Sequence, residues 1–194
     1  MQRRIGLYGG TFDPIHMGHI SLARSFLNSG HIDLFWILLT PDPPHKEHSN
    51  ITDFSHRKSM LQLAFSSFKN VEILDIETEL PKPSFTYQTI EYLVRNNPNT
   101  SFLYCMGSDS LTNFHKWKHP KLILNYVDLL VAKRPGFEIT SIEETFLDQT
   151  TLIDHHPLDI SSTKIKMSLK SNKSIKGLVQ TDVENYIKTH HLYN

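Results

Sequence analysis

Short apolar runs alternate with amphipathic segments along most of this chain. Five apolar runs have the length and composition of strands, at residues 4–8, 34–39, 71–76, 101–106 and 127–132. The segments between them space their apolar residues as helices do, at 18–28, 53–68, 86–96 and, in broken form, 108–124. Strands that alternate with helices are joined by right-handed crossovers, so the pattern predicts an α/β fold with a Rossmann-like, doubly wound parallel sheet.

The C-terminal part of the chain adds a short strand and two helices to this pattern. The strand is predicted at 151–153, a helix follows Ser161 and Ser162, either of which can cap it, and a closing helix occupies 181–188. The acidic stretch 138–148 is predicted to be a loop. With 194 residues in all, we expect one domain, 1–194, with a small helical extension at its C-terminal end.

Composition and charge argue against several classes of function. The 20 basic residues balance the 20 acidic ones, which disfavours binding to nucleic acid or a membrane through a broad charged face. No apolar stretch approaches the ~18 residues of a membrane span. The single cysteine, Cys105, lies in an apolar run and excludes an internal disulfide. We therefore expect a soluble, cytoplasmic protein, and a homo-oligomer is compatible with this composition.

The turn after the first strand carries the strongest chemical signal. Gly9 and Gly10 let the backbone approach a ligand closely, and the helix that follows begins with free N–H groups and a partial positive charge. His16 and His19 can donate hydrogen bonds to phosphate oxygens. A Gly-Gly turn alone is common, and the two histidines could be one exposed and one packed side chain. Their combination between a strand and a helix favours a nucleotide-phosphate site.

Further candidate residues follow the later strands, whose carboxyl ends meet at one edge of a doubly wound sheet. A proline-rich loop presents Lys46, which is either an exposed charge or a phosphate clamp. The hydroxyl-rich helix start at 161–163, with Lys164 and Lys166 beside it, is either a solvated capped helix or a second anion site. Trp117 is either a core residue or a flat platform for an aromatic ring.

The remaining polar residues indicate neither a metal site nor a nucleophile on the protein. The histidine pairs 155–156 and 190–191 are predicted to be solvated, and no recurring His, Cys or carboxylate spacing is typical of zinc. No Ser-His-Asp or Cys-His arrangement is visible. Glycines, hydroxyls and imidazoles suit a reaction in which the substrate supplies the nucleophile, while the protein aligns the reacting groups and spreads their charge.

Several of these segments resemble one family. Residues 9–19, Gly-Gly-Thr-Phe-Asp-Pro-Ile-His-Met-Gly-His, resemble the phosphate-binding signature of the T/H-x-G-H nucleotidyltransferases, and residues 160–166 are similar to their second signature, Ile-Ser-Ser-Thr-x-Ile-Arg. Three further segments, 43–46, 107–111 with Trp117 after it, and 131–136, resemble the bacterial nicotinate-nucleotide adenylyltransferases. The likeness covers nearly the whole chain in order. It implies a reaction of ATP with nicotinate mononucleotide that yields nicotinate adenine dinucleotide and pyrophosphate, assisted by Mg²⁺.

The resemblance also implies a role for each matching residue. His16 and His19 would contact the triphosphate, His19 would stabilise charge at the α-phosphate, and Lys46 and Lys166 would complete the catalytic set. ATP would also be held by residues of the turn, the fourth strand-end loop and the second signature: Gly9, Gly10, Thr11, Phe12, Gly18, Gly107, Asp109, Ile160, Ser161, Ser162 and Thr163. The mononucleotide would be held by Thr86 on its carboxylate side, by Trp117 stacking on its ring, and by Arg134.

One departure from the family pattern keeps two alternatives open. Lys166 stands where the family usually has arginine, which keeps the charge but loses the two-pronged hydrogen bonding of a guanidinium. A phosphopantetheine adenylyltransferase would share both signatures, but it usually has threonine in place of His16 and lacks the Pro-His-Lys loop. A nucleotide-sensing module that no longer turns over is the second alternative.

Overall fold

The computed structural model describes residues 3–43, 51–139 and 142–193. Its centre is a sheet of six parallel strands: β1 (Arg3–Gly10), β2 (Leu34–Leu39), β3 (Val71–Leu74), β4 (Thr100–Gly107), β5 (Asp128–Lys133) and β6 (Thr150–Asp154). Their order across the sheet is β3-β2-β1-β4-β5-β6. The order reverses between β1 and β4, and ligands of doubly wound sheets bind outside the carboxyl ends of the strands at such a point.

Within these ranges, eight α-helices connect and cover the strands. They are α1 (Met17–Asn28), α2 (Phe54–Phe65), α3 (Thr86–Asn96), α4 (Ser108–Thr112), α5 (Pro120–Leu124), α6 (Glu144–Leu147), α7 (Ser162–Lys170) and α8 (Thr181–Thr189). Two 3₁₀ turns, Ile76–Thr78 and Phe114–Lys116, precede α3 and α5. Within the described ranges, no helix is long and apolar enough to cross a bilayer.

Alternating side chains of the sheet build two separate cores. On β5, Leu129 and Val131 join the cluster under α3, α4 and α5, whereas Leu130 and Ala132 join the cluster under α1, α2, α7 and α8. Strands buried on both faces read as continuous apolar runs, which is why these segments could be recognised in the sequence. Cys105 is buried in the cluster under α1, α2, α7 and α8. A Cβ placed on Gly6 would lie 2.8 Å from the Cys105 Sγ.

The predicted fold class is confirmed, and the predicted strand bounds differ from the observed ones by at most two residues. Two local predictions are corrected. The helix predicted at 53–68 ends at Phe65, and α6 forms within the acidic stretch predicted to be a loop. The second difference has a packing cause, since Phe146 of α6 is buried against Phe114 with ring centroids 5.2 Å apart.

Arg57 on α2 is the largest fully buried side chain, and it connects three loops. Its guanidinium donates to the carbonyl oxygens of Thr11 at 2.9 Å, Thr40 at 2.8 Å and Thr52 at 2.8 Å. Thr11 follows β1 and Thr40 follows β2, so one side chain fixes the two strand ends relative to each other. A buried carbonyl left without its donor would cost on the order of 1–3 kcal/mol.

Replacing this guanidinium should therefore be among the most damaging single changes in the fold. We expect Arg57→Met to lower the free energy of unfolding by about 3 kcal/mol or more, because the buried carbonyls lose their donors. Urea unfolding monitored by circular dichroism measures this change. Arg95→Met is the matched control: Arg95 is exposed and pairs only with Glu91 on its own helix, so its loss should cost less than about 0.5 kcal/mol. Equal effects of the two substitutions would contradict the role given to Arg57.

Candidate active site

Two adjoining cavities open at the carboxyl edge of the sheet. The first cavity, of about 310 Å³, lies beside the start of α1, and the second cavity, of about 230 Å³, lies beside the start of α3. Gly9, Tyr104 and Trp117 line both, so the two cavities meet at the end of β1. The first is also lined by His16, Gly18, His19, Gly107, Asp109, Arg134, His155, Ile160 and Ser161. The second is also lined by Gly10, Thr11, Thr40, Glu77, Ser84, Thr86 and Lys118.

Glycines in the turn after β1 allow close approach between neighbouring groups. A Cβ on Gly9 would lie 2.7 Å from the Tyr104 hydroxyl oxygen, and a Cβ on Gly18 would lie 3.0 Å from the His16 ring. The first distance is shorter than real Cβ atoms show and the second is tighter than most of their contacts, so a larger residue at either position would require the neighbouring ring to shift. The turn itself bends at Phe12, whose φ is 48° and whose ring is buried under Gly10.

His16 and His19 stack on each other at the start of α1, with ring centroids 3.7 Å apart. The backbone N–H of His16 donates to Nδ1 of His19 at 3.3 Å. A neutral His19 therefore carries its ring proton on Nε2, where it can donate a hydrogen bond. His16 is buried, its Nδ1 has no hydrogen-bond partner among the described residues, and burial lowers its pKa to about 4. At neutral pH, His16 is thus an uncharged imidazole.

Asp109 and Arg134 form a charged pair at the far side of the first cavity. Arg134 Nη2 lies 3.6 Å from Asp109 Oδ1, and the backbone N–H of Arg134 donates to Ser108 Oγ at 3.3 Å. These contacts join the ends of β4 and β5. The pair places Arg134 beside the first cavity, whereas the resemblance implied a contact with the mononucleotide.

His155 was missed by sequence reasoning, which predicted that residues 155–156 are solvated. His156 is exposed, but His155 is buried, lines the first cavity and lies 2.9 Å from Ser25 Oγ through its Nδ1. Burial, together with Arg134 and His156, lowers the pKa of this imidazole. The only sequence signal was its position directly after the last strand of a parallel sheet.

The second cavity combines an aromatic face with a helix start. Trp117 packs edge-on against Tyr104, with centroids 5.7 Å apart and planes at 88°, and its indole ring lines both cavities. Thr86 is the first residue of α3, where backbone N–H groups lack helical partners and favour an anion. Gly10 and Thr11, expected to hold ATP, line this cavity and not the first.

The second signature is divided between the cavity and the protein interior. Ser161 lines the first cavity and caps α7, since its Oγ accepts from the Lys164 N–H at 3.2 Å. Ser162 Oγ instead donates to the carbonyl oxygen of Pro14 at 2.9 Å, and Thr163 is exposed. Neither Ser162, Thr163 nor Phe12 lines either cavity. Lys46, the remaining predicted catalytic residue, lies outside the described residues.

Lys166 contacts the opening turn and not a cavity wall. Its Nζ pairs with Oδ2 of Asp13, a carboxylate that is only 3% exposed. Tyr193 donates to Oδ1 of the same group at 2.8 Å, and the Thr52 N–H approaches Oδ2 at 3.4 Å. Burial by itself would raise the pKa of Asp13, but these hydrogen bonds lower it below its ordinary value. Asp13 is therefore ionised, and Lys166 supports the turn that carries the two histidines.

The arrangement is suited to charge stabilisation and not to covalent catalysis. The only thiol in the first cavity belongs to Cys105, and burial raises its pKa well above the ordinary value, so it is a poor nucleophile. Asp109 is the only carboxylate lining the first cavity, and the described part of the chain contains no cluster of three metal-ligating side chains. The polar groups that remain in the cavity wall are imidazoles and the N-terminal ends of two helices. Groups of this kind stabilise negative charge that develops during a reaction.

A family model described as cytidylyltransferase-like matches residues 7–168 of this chain. Curated relatives cover the chain end to end. A Flavobacterium johnsoniae protein named probable nicotinate-nucleotide adenylyltransferase is 36% identical, and the alignment covers 98% of each chain. The Bacillus subtilis protein named nicotinate-nucleotide adenylyltransferase is 33% identical, again over 98% of each.

Solved structures support the same architecture. The Plasmodium falciparum nicotinic acid mononucleotide adenylyltransferase complexed with NaAD superposes with a TM-score of 0.82 at 23% identity, over 98% of this chain and 97% of that one. A Vibrio parahaemolyticus structure described as a putative nicotinate-nucleotide adenylyltransferase has a TM-score of 0.71 at 19% identity. At these identities the likeness establishes the fold.

The buried neutral His16 predicts a loss of stability in mild acid. Its pKa of about 4 in the folded state is below the ordinary value of 6.5, so the unfolded chain binds the proton more readily. Stability from this group is complete above pH 6.5 and falls as the pH drops toward 4. Between pH 6.5 and 5 the loss should be about 1.5 kcal/mol, because the unfolded imidazole is half protonated at pH 6.5 and almost fully protonated at pH 5.

Urea unfolding of the wild type and of His16→Asn at both pH values measures this contribution. The variant should lose about 1.5 kcal/mol less than the wild type over that interval. His31→Asn, which alters an exposed histidine, should retain the wild-type dependence. If His16→Asn and the wild type lost stability in parallel, His16 would not be the neutral buried group described above.

Proposed function

The chain belongs to the nicotinate-nucleotide adenylyltransferase family, and from this premise we propose how its two cavities carry out that reaction. The enzyme joins ATP and nicotinate mononucleotide to give nicotinate adenine dinucleotide and pyrophosphate, a step of NAD biosynthesis. One observation carries the assignment of groups. The cavity with the imidazoles and the cavity with the aromatic face share Gly9, Tyr104 and Trp117 as a common wall.

In the proposed arrangement, ATP occupies the first cavity and the mononucleotide occupies the second. A phosphate oxygen of the mononucleotide attacks the α-phosphorus of ATP, the new P–O bond forms, and the bond to the bridging α–β oxygen breaks. The electron pair of that bond leaves with pyrophosphate. The substrates supply both nucleophile and leaving group, so the protein must align them and stabilise charge.

His19 is proposed to stabilise the charge that develops at the α-phosphate. The His16 N–H donates to Nδ1 of His19, so a neutral His19 carries its ring proton on Nε2, and this N–H is proposed to donate to a phosphate oxygen of ATP. His16 stacks on this ring and restricts its rotation. Gly9, Gly18, Gly107, Asp109 and Ile160 are proposed to shape the nucleotide site around it, and Lys46 to join from its loop.

The start of α7 is proposed to bind the β- and γ-phosphates. Ser161 lines the cavity there, and the helix N-terminus contributes a partial positive charge. Ser162 and Lys166 act through the opening turn: one hydroxyl holds the Pro14 carbonyl, and one ammonium holds Asp13. Lysine is sufficient for this contact, which explains how the chain tolerates the loss of the usual arginine.

We also propose that Mg²⁺ enters with ATP. Asp109 is the only carboxylate in the first cavity, and Arg134 already pairs with it, so the described residues do not form an oxygen cage of their own. The ion would then be coordinated mainly by phosphate oxygens and water, as is common for this cation. When bound it neutralises phosphate charge. A cytoplasmic location completes the proposal, and the balanced charge of the chain supports the absence of nucleic-acid and membrane partners.

The proposal is tested by a pyrophosphate-release assay with ATP and one acceptor at a time. Nicotinate mononucleotide should give pyrophosphate and the dinucleotide in equal amounts. Phosphopantetheine serves as the competing acceptor, since its adenylyltransferases share both signatures with this chain. Turnover with phosphopantetheine alone, or ligand binding without product, would overturn the assignment.

Removal of the His19 side chain should affect turnover more than substrate binding. We expect His19→Ala to lower kcat by about 10²- to 10³-fold with a much smaller change in KM, because its hydrogen bond strengthens in the transition state. Steady-state kinetics with each substrate in excess measure this split. His115→Ala, at an exposed histidine, should behave as the wild type. A variant with wild-type kcat would remove His19 from the mechanism.

Removal of the Trp117 ring should weaken binding of the mononucleotide. Loss of ring stacking costs about 1–3 kcal/mol, so Trp117→Ala should raise the KM for the mononucleotide about tenfold and that for ATP much less. Trp117→Phe keeps a ring and should recover part of the loss. Equal weakening of both substrates would contradict a stacking contact that is specific to the mononucleotide.

A further inference from the structure

A buried imidazole in the wall of the first cavity has no part in the mechanism above. His155 directly follows β6, is only 7% exposed and lines the first cavity. Its backbone N–H donates to the Lys133 carbonyl oxygen at 3.1 Å, which connects it to the end of β5. Burial, together with Arg134 and His156, lowers the pKa of this ring, so it is neutral at pH 8. A neutral imidazole has one donor nitrogen and one acceptor nitrogen, and the tautomer decides which of them a ligand meets.

The tautomer of His155 is set by Ser25 on α1. Ser25 Oγ lies 2.9 Å from His155 Nδ1 and 3.3 Å from the carbonyl oxygen of Ser21, one turn earlier on the same helix. The hydroxyl group has a single proton to donate. Both contacts are hydrogen bonds only if this proton goes to the Ser21 carbonyl and Nδ1 donates its own proton to Oγ. Nδ1 is then the donor nitrogen of the ring, and Nε2 can only accept.

Nε2 is the ring nitrogen that remains for a ligand. Within the described ranges, the side chain of His155 makes one hydrogen bond, through Nδ1. Ser25 does not line the first cavity, so Nδ1 is turned toward the helix and away from the cavity. The cavity wall at His155 therefore presents a neutral hydrogen-bond acceptor.

The first cavity runs along α1 from the start of this helix to His155. Gly18, Leu22 and Ser25 are spaced by four and three residues, so they lie on one face of the helix. Gly18 and Leu22 line the cavity, and Ser25 bonds to His155. Ser25 lies about 10 Å along the helix axis from Gly18, at 1.5 Å per residue. Because the phosphates are proposed to bind near His19 at the start of α1, the base of a nucleotide extended along this wall would reach His155.

We propose that His155 is a specificity-determining residue of the first cavity, where its Nε2 accepts a hydrogen bond from the exocyclic amino group of a 6-aminopurine base. The inference rests on the function proposed above, which places ATP in this cavity. A 6-oxopurine has an oxygen at that position, and two facing acceptors form no hydrogen bond. A site built to bond a substrate N–H discriminates against the analogue that lacks it, because the buried group of the site is left unpaired. Ser25 is a positioning residue that acts through the tautomer of His155.

ATP and ITP test this contact directly. ITP has an oxygen in place of the 6-amino group and a proton on the adjacent ring nitrogen, and its ribose and phosphates are those of ATP. At pH 8, with nicotinate mononucleotide in excess, the wild type should show kcat/KM about tenfold or more higher with ATP than with ITP, the effect of one buried hydrogen bond lost. Calorimetric binding of each triphosphate without the mononucleotide should give the same ratio in Kd.

Removal of the acceptor should abolish this preference. His155→Leu fills a similar volume without a ring nitrogen, so kcat/KM with ATP should fall about tenfold while that with ITP changes little. The ratio of the two should then approach one. His156→Asn, at the exposed neighbouring histidine, should keep the wild-type ratio.

Removal of the Ser25 hydroxyl tests the tautomer while the imidazole stays in place. In Ser25→Ala, Nδ1 loses its acceptor and Nε2 is free to carry the proton, so the ratio should lie between those of the wild type and His155→Leu. Ser59→Ala is the matched control, since Ser59 Oγ makes the same bond to a carbonyl four residues earlier, Ser55 at 2.9 Å, on α2. Nitrogen NMR of the wild-type imidazoles at pH 8 should show His155 protonated on Nδ1 and not on Nε2.

Three results would overturn the inference. They are a wild-type His155 protonated on Nε2, equal binding and use of ATP and ITP by the wild type, and an equal loss with both triphosphates in His155→Leu. The first two need no variant to fold. A preference for ATP in calorimetry without any release of pyrophosphate would instead refute the proposed reaction and support the contact with the base.

Discussion

The buried guanidinium of Arg57 is the contact on which the site depends most. It donates to the carbonyl oxygens of Thr11 and Thr40, which follow the neighbouring strands β1 and β2 and both line the second cavity. Loops at the end of a parallel sheet have few backbone partners of their own, so their positions must be set by side chains. The histidine turn is held from its other side by Lys166, Ser162 and Tyr193, none of which lines either cavity. The substrates would therefore meet side chains already fixed by neighbours behind them.

Much of the fold could be predicted because it depends on local pattern. Strands buried on both faces, such as β1 and β5, are continuous apolar runs, and glycines and helix caps mark the turns between them. α6 escaped prediction because its formation depends on one distant aromatic contact, between Phe146 and Phe114. The same limit applies to His155, which becomes a buried cavity residue only through Ser25, 130 positions away along the chain.

The structure brings some of the predicted site residues to one cavity and leaves others outside both cavities. The reason is again the difference between local pattern and distant contacts. Motif residues such as His16, Gly107 and Ser161 lie where strands end, so topology alone brings them to one cavity. Which way each side chain of a motif points is decided by its neighbours, and the signature 160–166 is divided accordingly between cavity and interior.

The hydrogen bond from Tyr193 to Asp13 spans 180 positions of sequence. During synthesis, the turn must therefore wait until a residue 180 positions further along the chain has been made before it acquires this donor. Domains tend to fold as units from the N-terminal side as they emerge. Here, however, a residue far along the chain completes the support of the turn that carries the two histidines, so a chain truncated before Tyr193 would carry the signature residues without the hydroxyl that helps to hold them.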